Sequence, residues 1–252
     1  MTQITTKPWS VTSKTGHEIT GRADFCADTD EPRPAIVIVH GLTGSMDEYL
    51  HQQAAPFFAA QGYDVLRFNL QSQGFPLRHC TLKTHALDLQ SVLDGPAAGY
   101  QKRFIIGHSY GGPTVMTAQP HQATAICLWD PSFNLPAIWQ MMEMTELGDI
   151  ALLNFGGVEV VVGAEMVAEG RGDDYSAENC LNLSRQLDVP IQVISASEGD
   201  EFAVYQQDPR SWHSAGHQEN CRQLIPDSDH CFTSPNALQR LLSETHRWFE
   251  RF

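Results

Sequence analysis

Residues 104–112 read Phe-Ile-Ile-Gly-His-Ser-Tyr-Gly-Gly: an apolar strand, a tight turn around Ser109, and the glycine-rich opening of a helix. A serine on so sharp a strand-to-helix turn is held in a strained backbone with its hydroxyl exposed, and glycines must flank it to clear the neighbouring elements. Gly107 and Gly111 meet that need, and Gly112 adds clearance. The helix N-terminus behind the turn offers free N–H groups and a positive dipole end to a developing oxyanion. A bare G-x-S-x-G arises often by chance, but one framed by strand and helix marks Ser109 as a candidate nucleophile.

Outward from this turn, short β-rich runs alternate with helical patterns from residue 34 onward. That order predicts an α/β fold, a mostly parallel central sheet with helices on both faces. Strands are expected at 35–39, 63–70, 103–107, 123–128, 190–195 and 222–225, with helices at 47–61, 81–93, 111–119 and 234–252. Two segments, 9–13 and 18–25, flank Lys14-Thr15-Gly16 and predict an antiparallel hairpin at a sheet edge. Between 131 and 187 the alternation fails, because Trp139, Met141, Met142, Met144, Leu152, Leu153 and Phe155 fit no single face. We read 1–252 as one domain carrying a cap insertion at about 133–188, with a strand at 157–162 and a helix at 177–187 inside it.

The chain has 252 residues and a formal charge of −14, from 30 acidic and 16 basic side chains. Such a surface repels phosphate backbones and anionic lipid, which argues against nucleic-acid and membrane partners. Residues 1–7 lack the apolar core of a secretory signal, and the longest apolar stretch, 150–168, carries Glu159 and Glu165. A cytoplasmic protein is expected. The six cysteines include no C-x-x-C pair and no Cys/His pairing at zinc-finger spacing, so free thiols are expected and no metal site is read from them.

A serine hydroxyl reacts only when a base takes its proton, and in this chain order the base follows the nucleophile. His230 lies in a polar loop between the last expected strand and the C-terminal helix, where such a base must sit. His246 falls within the helix, His213 and His217 lie in a polar stretch of uncertain structure, and His121 follows the nucleophile helix too closely. A carboxylate must fix the imidazole tautomer. Asp200, after the strand at 190–195, is assigned that role, with Asp130 and Glu198 as the alternatives. The amides of Tyr110 and of Leu42, in His40-Gly-Leu-Thr-Gly44, are the expected oxyanion donors. His40 is read as a buttress for this loop.

These separated motifs, in this order, resemble the α/β-hydrolase superfamily, and within it bacterial carboxylesterases of the cinnamoyl (feruloyl) esterase and monoacylglycerol lipase type, which share an H-G-[FL]-T-G loop and a small inserted cap. In those enzymes the acid follows its strand as G-x-x-D. Here Ala196 replaces the glycine and Asp200 stands one residue later. The resemblance implies an α/β-hydrolase fold and a serine esterase that works through an acyl-enzyme, with no cofactor or metal. The expected partner is a small ester, neutral and apolar or aromatic, in a pocket lined by Trp139, Met141, Met142, Met144 and Phe155. The same apparatus could act on an amide, thioester or C–C bond, and a hydrolase-fold binding protein is the alternative class. Epoxide hydrolase and haloalkane dehalogenase chemistry is disfavoured because both use an Asp nucleophile. Oligomeric state is not legible.

Overall fold

Side chains alternate across a strand, so each central strand of a covered sheet must be apolar on both faces. Ala35–Val39 (β3) meets this: Ile36 and Ile38 join one buried cluster, while Ala35, Val37 and Val39 join another. The computed structural model describes residues 3–26, 32–70, 79–155, 158–199 and 217–252. Its main sheet has 8 strands in the order β1-β2-β4-β3-β5-β6-β10-β11. These are Ile4–Thr12 (β1), Glu18–Cys26 (β2), β3, Asp64–Phe68 (β4), Arg103–His108 (β5), Ala125–Trp129 (β6), Ile191–Glu198 (β10) and Cys221–Asp229 (β11). From β4 to β11 the pairings are parallel, and β1 and β2 form the expected antiparallel hairpin at one edge.

Helices Tyr49–Ala60 (α1) and Pro235–Phe249 (α7) cover one face, and Leu82–Asp94 (α2) and Gly111–Ala118 (α3) the other. Local chemistry sets their starts. The Thr81 hydroxyl accepts from the Thr84 amide at 3.1 Å while the Thr84 hydroxyl accepts from the Thr81 amide at 2.9 Å, a reciprocal cap for α2. Ser234 accepts from the Ala237 amide at 3.2 Å, with Pro235 in the first turn of α7. Trp129 Nε1 donates to Thr245 Oγ1 at 2.9 Å and Trp248 Nε1 to the Ile126 carbonyl at 2.9 Å, which fastens α7 to β6.

Between β6 and β10 lie Leu135–Met141 (α4), the strands Met144–Leu147 (β7), Ile150–Phe155 (β8) and Val158–Gly163 (β9), then Ala164–Arg171 (α5) and Ala177–Arg185 (α6). β7, β8 and β9 form a separate antiparallel sheet. Only β9 and α6 of this segment are expected from sequence. β7 and β8 turn on the two residues Gly148-Asp149, with Gly148 at φ +71°, a hairpin signal masked by the surrounding Met and Leu.

Candidate active site

Three loops at the carboxyl ends of the parallel strands bring the candidate residues together. Ser109 follows β5 with φ +55°, in the left-handed region that a non-glycine residue adopts only under constraint. The constraint is visible: its amide donates to the Trp129 carbonyl at 3.0 Å, and its carbonyl accepts from the Gly112 amide at 2.9 Å and the Ser132 amide at 3.0 Å. Gly111 closes the turn against β3, where a Cβ would stand 2.4 Å from the Val39 carbonyl oxygen.

Ser109 Oγ lies 2.8 Å from His230 Nε2, and His230 Nδ1 donates to Asp130 Oδ2 at 2.6 Å. The carboxylate can only accept, so it fixes the proton on Nδ1 and leaves Nε2 as the acceptor for the serine hydroxyl. An imidazole so held can take the hydroxyl proton. Asp130 is fully buried, and its other oxygen accepts from the Ala196 amide of β10 at 3.0 Å.

The expected carboxylate was Asp200, with Asp130 and Glu198 as alternatives. Asp130 occupies the position on His230 Nδ1, while Asp200 lies outside the described residues, as does His213. Glu198 ends β10 with an exposed side chain. The physical reason lies at the end of β6, where Asp130 turns out of the strand with φ +39° and so aims its carboxylate along the sheet edge toward His230. In the sequence Asp130-Pro131 looks like a strand-ending turn. The signal that could have found it is an Asp directly after the buried strand next to the nucleophile strand.

The other histidines fall as follows. His246 sits in α7 beside Tyr63 and Phe57, and His217 precedes β11. His40 is buried under the loop it belongs to, donating from Nδ1 to the Gly41 carbonyl at 2.7 Å and accepting from the Leu70 amide at 3.0 Å on Nε2. Burial pushes its pKa down to about 4, so it holds the loop as a neutral ring. The expected buttress role matches this geometry.

A cavity of about 280 Å³ opens over Ser109. Gly41, Leu42 and Tyr110 border it, and Leu135, Ile138, Trp139 and Met142 of the α4 region form its apolar side. Among the described residues, the amides of Leu42 and Tyr110 donate to no protein acceptor, and no Arg or Lys borders the cavity. Of the expected lining residues, Trp139 and Met142 reach it. Met141 is 66% exposed, Met144 lies elsewhere, and the Phe155 side chain is outside the described set. Leu135, Ile138 and Ser132 were missed from sequence. Ser132 Oγ stands 3.2 Å from Ser109 Oγ.

The model of the alpha/beta hydrolase family matches residues 36–245. The chain belongs to that family. The fold of this alpha/beta hydrolase is similar to that of Est1E from Butyrivibrio proteoclasticus with ferulic acid bound, at TM-score 0.78 and 17% identity over 96% of this chain and 98% of that one. It is also similar to the esterase domain of a Rhodothermus marinus protein, at TM-score 0.74 and 17% identity over 98% of each chain. In sequence, 93 residues are 28% identical to epoxide hydrolase B of Mycobacterium tuberculosis, covering 35% of this chain and 25% of that protein. The match thus spans a quarter of the length of its curated relative.

All six cysteines are free thiols. Among the described residues no helix is long and apolar enough to cross a membrane.

Proposed function

We propose that this alpha/beta hydrolase is a serine esterase that cleaves carboxylic esters through an acyl-enzyme. The observation that carries the reading is the continuous relay from Ser109 Oγ through the His230 ring to Asp130, with 2.8 and 2.6 Å links. Ser109 Oγ attacks the ester carbonyl carbon and its proton passes to His230 Nε2. The oxyanion is held by the Leu42 and Tyr110 amides. Collapse breaks the ester C–O bond, and the departing alkoxide takes the proton from His230, leaving acyl-Ser109. Water then adds, giving its proton to His230, and collapse returns that proton to Ser109 as the carboxylic acid leaves. Asp130 stabilises the imidazolium formed in each half.

The apolar α4 side of the cavity, with no Arg or Lys among the described residues that border it, favours a neutral substrate with a short or medium acyl chain or an aromatic group. In this reading residues 133–188 act as a cap, with α4 roofing the cavity. The ferulic acid on the Est1E neighbour is in keeping with an aromatic acyl group. Epoxide opening is not adopted from the Mycobacterium relative, because the elbow carries Ser109 where that chemistry uses Asp.

The test is a panel of p-nitrophenyl esters of rising acyl length, hydrolysed by wild type and Ser109→Ala. Wild type turns them over and the variant does not. Equal rates for both would sink the reading, and a covalent organophosphate adduct on Ser109 would separate a competent enzyme from a binding protein.

A further inference from the structure

Beside His230 and beneath the His40–Gly44 loop, three side chains of metal-ligating type meet, with a Glu48 carboxylate oxygen 3.6 Å from His51 Nδ1. One ligating atom from each of Glu48, His51 and His108 lies within 4.8 Å of the other two. Glu48 and His51 share the first turn of α1, and His108 ends β5. His51 and His108 are buried, at 0% and 4% exposure, with ring centroids 6.1 Å apart and edge to face.

The hydrogen bonds of the two rings decide what the third group must be. His51 Nδ1 lies 3.1 Å from the Ser45 carbonyl and His108 Nε2 lies 3.0 Å from the His230 carbonyl. A carbonyl accepts only, so each of these nitrogens carries the proton. The opposite nitrogens, His51 Nε2 and His108 Nδ1, are then lone pairs, and both are buried with no hydrogen-bond partner among the described residues. A ring that donates one N–H to a backbone carbonyl and bares the other nitrogen is the usual form of a metal-ligating histidine. Buried acceptors left unpaired cost free energy that a bound cation recovers.

We propose that Glu48, His51 and His108 form a binding site for one divalent first-row transition-metal ion of the Zn²⁺ class, whose preference for imidazole and carboxylate matches the set. In a tetrahedral site with bonds of about 2.1 Å, ligand atoms stand about 3.4 Å apart. The atoms, within 4.8 Å of one another, must draw closer when an ion binds; Glu48, whose Oε1 accepts from the Ser45 amide at 3.0 Å, is the half-buried member of the set on the cavity wall. Glu48 and His108 both border the cavity, which gives the ion its entry path. This goes beyond the sequence reading, which expected no metal, because the ligands come from two distant segments without motif spacing. It does not rest on the esterase reading.

The test loads purified, chelator-treated full-length wild type, Glu48→Gln and His51→Gln with zinc chloride, removes free ion by gel filtration, and counts metal by mass spectrometry. Wild type is expected to retain one equivalent more than either variant, and Co²⁺ in place of Zn²⁺ to give visible d–d bands in wild type only. Circular dichroism checks folding. Should His51→Gln fail to fold, the near-isosteric Glu48→Gln decides. Equal metal content in wild type and Glu48→Gln, or a Co²⁺ spectrum dominated by thiolate charge transfer, overturns the site.

Discussion

Gly199 lies against the carboxylate of Asp130 so closely that a Cβ there would stand 2.0 Å from Oδ2, the oxygen that holds His230. β10, the sheet neighbour of β6, and the turn that follows it therefore shape the seat of the Asp130 carboxylate, through the Ala196 amide and this glycine.

Gly199→Ala should fold but work poorly. The new methyl cannot coexist with Asp130 Oδ2 at its present place, so the carboxylate or the backbone of 196–199 must shift. A misplacement of about 1 Å in a positioning group costs on the order of 100-fold in rate. Expected is a kcat loss of roughly that size with KM little changed, read by steady-state ester hydrolysis. A variant with wild-type kcat would mean that the carboxylate seat is not under this constraint.

Asp130→Asn and Asp200→Asn separate the two acid assignments. Loss of the orienting carboxylate lowers kcat by about 10⁴-fold when geometry is otherwise kept. That loss is expected for Asp130→Asn, while Asp200→Asn stays within a few-fold of wild type. The reverse pattern in the same assay would return the role to Asp200.

Trp139 controls the depth of the cavity. It borders the cavity and stacks over Gly170, where a Cβ would come within 2.1 Å of the indole nitrogen. Trp139→Leu removes ring volume from the α4 side and should move the best p-nitrophenyl substrate toward longer acyl chains, by two carbons or more, through a lower KM. An unchanged chain-length profile would show that the acyl group lies elsewhere.

Four histidines make the fold acid-sensitive. Burial pushes His40 down to about 4 and His51, His85 and His108 to about 3, from an ordinary value of 6.5. Their folded pKa values lie below the unfolded one, so as pH falls the unfolded chain binds protons first. The stability from keeping these rings neutral is complete above about 6.5 and is lost progressively down to the folded values. Between pH 7 and 5.5 the loss is about 1.2 kcal/mol per histidine, or roughly 5 kcal/mol for the four. His85 isolates the effect, because neither ring nitrogen has a hydrogen-bond partner among the described residues. His85→Leu should raise Tm, and raise it more at pH 5.5 than at pH 7.5. An equal shift at both values would mean that proton linkage at His85 is absent.

The sheet was legible because its strands carry their own signal. Ala35–Val39 and Phe104-Ile105-Ile106 are apolar on both faces, as only strands covered on both sides can be, and the glycines around Ser109 could belong to few other turns. His230 was legible from chain order. Asp130 was not, because its role depends on a left-handed turn and on an amide and a glycine from a strand distant in sequence, which composition around Asp130 does not encode. The β7–β9 sheet was hidden for another reason: Ala151, Leu153 and Val162 join the buried core while Leu147 and Val161 stay exposed, so apolar residues stand on both faces and mask the alternation.

The Ser109 backbone is bonded at two points to the segment that carries Asp130, its amide to the Trp129 carbonyl and its carbonyl to the Ser132 amide. Ser109 and Asp130 are thus held together by backbone bonds, and of the three members of the proposed triad His230 is the one carried by a separate turn. That loop is a turn of its own, tied through the Asp229 carboxylate to the Cys231 amide at 2.9 Å and the Thr233 amide at 3.1 Å. Thermal motion, chemical modification at the exposed neighbour Cys231, or a ligand that displaces this turn would all act on the same coordinate, the reach of one imidazole toward a fixed pair. A loss of activity without loss of fold is accordingly to be sought first in the timing of that turn.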